Sequence, residues 1–355
     1  MKNKVLISNY YFDIKNIIKR KKISKYKISR LDLDKKNSNF IFYNDKKSLK
    51  IYSRNCDHAG GKLITTKNNE IKCPLHGWIF DLENGKYNNG IIKKELKYNQ
   101  DKNNIYIDDI KSNIEFTKFN VKLDLEIEFL NHACLYFKNK NFSFATDPWL
   151  LGPAFTSGWW LFKKTPIDAF DKLNSCNFIY ISHNHPDHLH PLTLSKIRKD
   201  MIFITPNFIS NSSSKYLQSL GFKNIVCLEF GKEYINKQIK TSFSILKSGD
   251  FREDSGLYFS YGQFSSILTV DSNSLNFYDL PKNITLLCSS FAGGASGYPL
   301  CFDNLNENQK IAISKRNLTA IRMMNSKYIE STNPKYYLPY AGFFKEKAQR
   351  DKFIK

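Results

Sequence analysis

Two short constellations in this chain bring ligand-type side chains together at spacings that chemistry uses. The first is Cys56-Asp57-His58-Ala59-Gly60-Gly61, followed by Cys73-Pro74-Leu75-His76-Gly77-Trp78. Two soft thiolates and two imidazoles, delivered as C-x-H and C-x-x-H from two loops, suit either zinc or an iron–sulfur cluster. The neighbouring glycines decide between them. A structural zinc site needs no paired glycines beside its ligands, whereas a cluster needs backbone N–H groups close to its bridging sulfides. Gly60, Gly61 and Gly77 permit that approach. The expected group is a [2Fe-2S] cluster held by Cys56, His58, Cys73 and His76, with both imidazoles on one iron. That ligation places its potential at roughly −150 to +300 mV. Such a centre carries an electron.

The second constellation is the buried-strand pattern 178–182, Phe-Ile-Tyr-Ile-Ser, running straight into His183-Asn184-His185-Pro186-Asp187-His188. On an extended exit from a strand, alternate side chains share a face. His183 and His185 can therefore point at one metal while Asp187 and His188 point at its neighbourhood. Asp147 at the end of a strand over 142–145, Asp271 after a strand over 266–270, and His132 in Asn131-His132-Ala133-Cys134 are further candidates.

These groups need elements to hold them, and composition bounds what the elements are. With 355 residues, 41% of them hydrophobic and 15% aromatic, two packed domains are expected rather than a disordered chain. Residues 4 to 110 read as short strands, for example 39–43 and 104–107, broken by Asn, Asp, Lys and Gly, as a small all-β domain would be. The polar stretch 108–120 marks the boundary, giving domains of 1–115 and 116–355. After it, apolar runs at 125–130, 142–145, 178–181, 201–204 and 225–228 alternate with helix-like stretches at 192–198 and 213–220. Tighter strands follow at 243–246, 256–260 and 266–270. The fold class expected is α+β multidomain, with buried strands covered by helices in the second domain.

The 54 Lys+Arg against 33 Asp+Glu give a net charge of +21. The lysines are spread along the chain and interleaved with Asn and acidic residues rather than gathered in stripes, which argues against a nucleic-acid binder and leaves two readings, a Lys/Asn-rich compositional bias or attraction to an anionic substrate or an acidic redox partner. The first 20 residues contain no apolar signal core, and no window reaches the ~20 apolar residues of a membrane span, so a soluble, cytoplasmic protein is expected. Cys134, Cys176, Cys227 and Cys288 lie in or beside apolar runs and are expected as buried thiols.

The stretch from Cys56 through His76-Gly77-Trp78-Ile79-Phe80-Asp81 to Gly85 resembles the Rieske domains of oxygenases and ferredoxins. The H-x-H-x-D-H run, with Asp147 and Asp271 in order around it, resembles the metallo-β-lactamase superfamily, and implies an αββα second domain with metal held by His183, His185, Asp187, His188 and Asp271. His132 matches a pocket-lining histidine of one branch and, with Asp187, is the expected catalytic group. A dinuclear hydrolase of that superfamily completes its sites with histidines from later loops, but none of the seven histidines follows His190. A single metal is expected instead. Imidazole and carboxylate around an open coordination sphere is the donor set of non-haem iron that activates O2.

The two parts in this order resemble the CMP-N-acetylneuraminate hydroxylases. Longer strings carry that likeness: Asp147-Pro148-Trp149-Leu150-Leu151-Gly152-Pro153-Ala154-Phe155 on to Gly158-Trp159-Trp160, Phe291-Ala292-Gly293-Gly294-Ala295-Ser296-Gly297, and Pro339-Tyr340-Ala341-Gly342-Phe343-Phe344. Trp149, Trp159 and Trp160 suit stacking on a base or sugar, and Gly293 and Gly294 suit backbone approach to phosphate or carboxylate oxygens. The resemblance implies an iron-dependent monooxygenase that hydroxylates the N-acyl group of CMP-N-acetylneuraminate or a related CMP-sugar, using O2. No G-x-G-x-x-G fingerprint is present, so electrons are expected from an external donor of cytochrome b5 or ferredoxin type.

The chain departs from the family in two places. Around Phe251 and Arg252, where a further histidine is expected, it reads Gly249-Asp250-Phe251-Arg252-Glu253-Asp254, leaving Asp250, Glu253 or Asp254 as the substitute, or no ligand there. The sequence also ends at Lys355, whereas vertebrate-type members continue, so reaction type is better supported than substrate. The competing reading is a zinc hydrolase with a regulatory or electron-transfer Rieske domain.

Overall fold

Phe178 and Tyr180 turn to one side of their strand and Ile179 and Ile181 to the other, and all four are buried. A strand apolar on both faces must lie between two layers. In the computed structural model, which describes residues 3–29, 39–45, 48–57, 62–73, 77–250, 252–292, 300 and 302–352, this strand sits within a six-stranded sheet. The order is Glu126–Asn131, Cys134–Lys138, Ser143–Thr146, Phe178–Tyr180, Ile202–Pro206 and Asn224–Leu228. The first three strands are antiparallel and the last four run parallel.

The inner face of this sheet sets Phe137, Phe144, Phe178 and Ile204 against Phe12, Phe243 and Phe259 of a second sheet. Phe144 meets Phe259 edge-on with ring centroids 4.8 Å apart, and Phe12 meets Phe243 in the same way at 5.0 Å. The second sheet has eight strands, in the order Lys4–Ile7, Tyr10–Asn16, Lys232–Asn236, Thr241–Lys247, Ser255–Tyr261, Phe264–Leu268, Leu286–Ser290 and Tyr336–Tyr340. Helices Ala169–Ser175 and Ser212–Ser219 cover the outside of the first sheet through Leu173 and Leu217. Helix Glu307–Thr332 covers the outside of the second, with Tyr328 lying among Leu246, Tyr258, Ile267 and Leu287. These layers make the αββα sandwich of a metallo-β-lactamase-like domain.

The other unit is all-β. Strands Tyr98–Gln100, Asn104–Glu115 and Ile18–Ser29 form one sheet, Phe40–Asp45 pairs with Ser48–Ser53, and four short strands from Ile64 to Tyr87 form a meander. Alternation selects its core: Ile105 and Ile107 are buried with Phe40 and Ile51.

Three expectations need correction. The compact units are Lys19–Ile114, and Met1–Ile18 together with Glu115–Lys355. The amino-terminal hairpin therefore belongs to the eight-stranded sheet rather than to a domain spanning 1–115, because Tyr10–Asn16 pairs with Lys232–Asn236 over Lys232↔Asn16 to Ile235↔Asp13. The helix expected over 192–198 is the single turn Pro191–Leu194. Cys227 is exposed on the edge strand Asn224–Leu228, whereas Cys134, Cys176 and Cys288 are buried, and burial pushes the Cys176 thiol up to about 12. Among the described residues no helix is long and apolar enough to cross a membrane.

The long helix also braces the loop that follows Asp271. The Tyr328 hydroxyl donates to the Ser272 carbonyl at 2.8 Å and accepts from the Leu275 N–H at 2.8 Å, with the ring fully buried. Tyr328→Phe leaves a buried carbonyl and a buried N–H unpaired and is expected to cost about 1–3 kcal/mol. Urea unfolding measures this, and an unchanged midpoint contradicts the bracing role.

Candidate metal centres

In the all-β unit, Cys56 and Cys73 are both buried. Cys73 follows the strand Ile71–Lys72, donates its N–H to the Trp78 carbonyl at 2.7 Å and accepts the Gly77 N–H at 2.9 Å. Gly77 has φ +75°, a backbone conformation that glycine adopts without cost, and it closes the turn after His76. His58 and His76, with Gly60 and Gly61, lie outside the described residues.

A buried cation stands beside the first ligand loop. The Lys93 Nζ donates to the Asn55 carbonyl at 2.6 Å and to Asp57 Oδ2 at 3.0 Å, so it grips the chain on both sides of Cys56. It also lies 5.8 Å from the centre of the Tyr87 ring, whose hydroxyl accepts the Asp57 N–H at 3.2 Å. Lys93 is 3% exposed. Nothing in the sequence separates it from the other lysines, and only its position identifies it. Lys93→Met removes a positive charge from the cluster's surroundings and is expected to lower the reduction potential by tens of millivolts while the paramagnetic resonance signal persists. An unchanged potential contradicts this.

In the sandwich, the second centre assembles at the ends of strands. Phe178–Tyr180 delivers the extended stretch through Ser182 and His183, and the backbone then turns at His185, whose carbonyl accepts the N–H groups of His188 (3.0 Å) and Leu189 (2.8 Å). The extended part sends His183 and His185 to one face, and the turn sends Asp187 and His188 beside them. His132 follows the strand Glu126–Asn131 and Asp147 the strand Ser143–Thr146, with φ of +46° and +37°, and Val270, just before Asp271, has φ +52°. Left-handed backbone at non-glycine residues costs on the order of 1 kcal/mol each and is tolerated where the surroundings over-determine it. Here the strained positions flank the clustered donors.

Two donor groups result. His183, His185 and Asp271 form one and His132, Asp187 and His188 the other, with ligand atoms in each within 4.8 Å of one another. His183 Nε2 is 2.7 Å from His185 Nδ1 and 4.0 Å from Asp271 Oδ2. Its other nitrogen meets the Ser182 hydroxyl at 2.9 Å, which fixes the ring. Asp187 Oδ2 lies 3.1 Å from His132 Nε2 and 3.5 Å from His188 Nε2, and the latter is also 3.7 Å from Asp271 Oδ2. Asp271 therefore stands beside both groups. Asp147 is no ligand here: its Oδ2 faces His188 Nδ1 at 3.3 Å and its Oδ1 accepts the Ser182 N–H at 2.7 Å, so it orients ligands from behind.

The donors fit a cation. His132 Nδ1, Asp187 Oδ1, both nitrogens of His188 and Asp254 Oδ2 are buried without a hydrogen bond. Such atoms cost free energy unless a partner meets them. Burial, with the neighbouring imidazoles, holds His183 well below the usual histidine range and lowers His185 too, so both present neutral nitrogens. Burial works against charge on His188, but Asp187 and Asp271 outweigh it and raise its pKa well above the ordinary value. Burial alone raises the pKa of Asp271, yet the His188 charge outweighs that and brings it down to about 2. Burial pushes Asp254 up to about 7.

The expectation of a single metal rested on the lack of histidines after His190. His132, expected as a pocket-lining histidine, comes from the start of the domain to lie beside Asp187 and His188. His190 itself is occupied, with Nδ1 at the N-terminus of Pro191–Leu194 and Nε2 on the Pro153 carbonyl at 3.0 Å. The aromatic expectation is corrected as well. Trp149 is 0% and Trp159 is 4% exposed: the first packs on His132, and the second stacks on Phe344 at 3.7 Å, so neither offers a face for stacking a ligand. Trp160 is 41% exposed. Gly293 and Gly294 lie outside the described residues. The strings 147–160 and 339–344 meet where Trp159–Leu161 pairs with Phe344–Glu346, and Gly342 is required there because a Cβ would come within 2.8 Å of the Phe291 ring.

Residues 16–98 match the Rieske [2Fe-2S] domain and residues 126–251 the beta-lactamase superfamily domain. The chain is 32% identical over 340 residues to the cytidine monophosphate-N-acetylneuraminic acid hydroxylase of Xenopus laevis, an alignment covering 89% of this chain and 57% of that protein. The Mus musculus protein of the same name is 31% identical over 343 residues, covering 89% and 58%. The chain thus spans a little over half the length of these curated relatives. CmlA, a diiron β-hydroxylase from Streptomyces venezuelae, has 16% identity and a TM-score of 0.44, covering 64% of this chain and 46% of that one. The chain therefore joins a Rieske [2Fe-2S] domain to a β-lactamase superfamily domain, and over 89% of its length it is similar to the cytidine monophosphate-N-acetylneuraminic acid hydroxylases.

Proposed function

We propose that this chain is an O2-dependent monooxygenase that hydroxylates the N-acyl methyl group of a CMP-linked acidic sugar, CMP-N-acetylneuraminate or a near relative. The observation that carries this reading is the pairing of a cluster ligand motif with a buried imidazole–carboxylate centre, in a chain 32% identical over 340 residues to proteins named for that hydroxylation. The balance is one C–H bond, O2, two electrons and two protons giving C–OH and water. Electrons enter at the Rieske cluster from an external donor, of cytochrome b5 or ferredoxin type, which the net charge of +21 would attract if acidic.

Non-haem iron in the second centre supplies O2 activation. The chain's own residues do the rest. His183 and His185 are kept neutral by burial and so offer lone pairs to the ion, and Asp271 remains ionised beside them. His188 Nδ1 faces Asp147 Oδ2 at 3.3 Å, which leaves Nε2 directed at Asp187 and Asp271. His132 Nε2 and Asp187 Oδ2 stand 3.1 Å apart, both residues buried, with Trp149 and Phe344 packed against the His132 ring. That pair is the assigned proton-handling group. Of Trp149, Trp159 and Trp160, the last is the one left exposed for the base or sugar.

Purified protein incubated with a reductase system, isotopically heavy O2 and CMP-N-acetylneuraminate is expected to yield product with one heavy oxygen. The same preparation should contain iron beyond the cluster's two atoms. Two irons plus zinc, or no oxygen incorporated while the cluster is reduced and the extra iron is present, contradicts the reading.

A further inference from the structure

The sequence leaves open which residue of the segment 249–254 stands where a further histidine is expected. The segment is pinned at its base: a Cβ at Gly249 would lie 2.5 Å from the Ser274 carbonyl oxygen, and the Gly249 N–H donates to the Asn273 carbonyl at 2.7 Å. Two of the three acidic side chains are already committed. Asp250 accepts from Ser248 Oγ at 2.9 Å, from Asn273 Nδ2 at 2.9 Å and from Arg252 Nε at 2.9 Å. Glu253 is turned away, accepting the N–H of Ser210 at 3.0 Å and its hydroxyl.

Asp254 is different. It is 3% exposed, and its Oδ1 lies 3.8 Å from His183 Nε2. That nitrogen therefore has three donors around it, His185 Nδ1 at 2.7 Å, Asp254 Oδ1 at 3.8 Å and Asp271 Oδ2 at 4.0 Å. Atoms that share one ion at about 2.1 Å stand roughly 3.0–3.5 Å apart, so Asp254 Oδ1 lies within a few tenths of an ångström of that spacing from His183 Nε2. The other oxygen, Oδ2, makes no hydrogen bond and has Arg252 at 3.1 Å as its ion-pair partner. The same guanidinium donates to the Asp271 backbone carbonyl at 3.0 Å. Arg252 thus ties together two acidic residues on separate loops, and Asp250 holds Arg252.

We propose that Asp254 is a further ligand of the His183, His185 and Asp271 site, standing in place of a histidine, and that Arg252 is its positioning residue. This rests on the reading of the site as a metal centre and specifies its metal. Two imidazoles and two carboxylates form a harder, more anionic set than three imidazoles. Imidazole with carboxylate around open positions is the donor set of non-haem ferrous iron.

The test uses full-length protein stripped of the second-centre metal, with retention of the cluster checked by its visible absorbance. Fe2+ and Co2+ are titrated in anaerobically. Asp254→Asn keeps the shape and is expected to weaken Fe2+ binding by at least about tenfold, the loss that outer partners of a ligand alone produce. It should also shrink the metal-induced rise in Tm, measured against the variant's own metal-free Tm, while the cluster signal stays unchanged. Asp254→His is expected to bind Co2+ with a shifted absorption spectrum and to turn preference from Fe2+ toward Zn2+. Arg252→Met should weaken binding less than Asp254→Asn, and Arg252→Lys should restore it in part. Fe2+ affinity unchanged in Asp254→Asn overturns the proposal. If that variant does not fold, Asp254→His decides: a shifted Co2+ spectrum supports a ligand, and an unshifted one overturns it. Wild-type protein that binds neither ion there overturns the metal-centre reading itself, a result distinct from a failure of Asp254 alone.

Discussion

Carboxylates taken out of water cost several kcal/mol each unless opposite charge or donors meet them. At one end of the sandwich Asp147, Asp187 and Asp254 are buried, with Asp271 beside them, next to the imidazoles of His132, His183 and His188. Their mutual neutralisation is partial, because several of these atoms have no hydrogen-bond partner. A bound cation removes that deficit. The surrounding architecture serves this need. Parallel strands end side by side, Phe residues between the sheets fix their register, and the Tyr328 hydroxyl and the Arg252 guanidinium hold the loop that carries Asp271. The left-handed backbone at His132, Asp147 and Val270 is the strain accepted to aim side chains at one point.

Much of this is legible in the sequence because it is local. The run 178–188 encodes a strand by its double-sided apolar pattern and candidate ligands by their spacing, and the structure has the strand and gathers those side chains. Likewise Ile105 and Ile107 mark their strand by alternation. What escapes the sequence depends on distant partners. The hairpin Lys4–Asn16 looks like part of the small domain because it is contiguous with it, but its pairing partner lies more than 200 residues away at Lys232–Asn236. The 26-residue helix Glu307–Thr332 fully buries only Asn325, Tyr328 and Thr332, and its Ile, Leu and Met residues are spread over more than one face, so periodicity marks it weakly. Its capping box, Asn306 with Gln309, is the one local sign that could have found it.

The site shows the same division. The run 183–188 marks its ligand-type residues by spacing, whereas the approach of His132, which arrives from an earlier strand, to Asp187 and His188 is not legible in spacing. The tryptophans look like stacking platforms by composition, yet Trp149 and Trp159 are spent in the wall behind His132, and burial is a property that no spacing reveals. Lys93 is one of many lysines until its position beside Cys56 is known.

The central claim is that an electron from the cluster is consumed at the second centre while a substrate C–H bond is hydroxylated. The direct measurement is rapid mixing of anaerobically reduced protein with O2, following the cluster's visible absorbance with and without CMP-N-acetylneuraminate. Wild-type protein is expected to reoxidise its cluster quickly, and only with substrate present. His183→Ala, with its cluster signal intact, is expected to remain reduced over the same time. Equal reoxidation of the two proteins, or no dependence on substrate, would contradict the coupling.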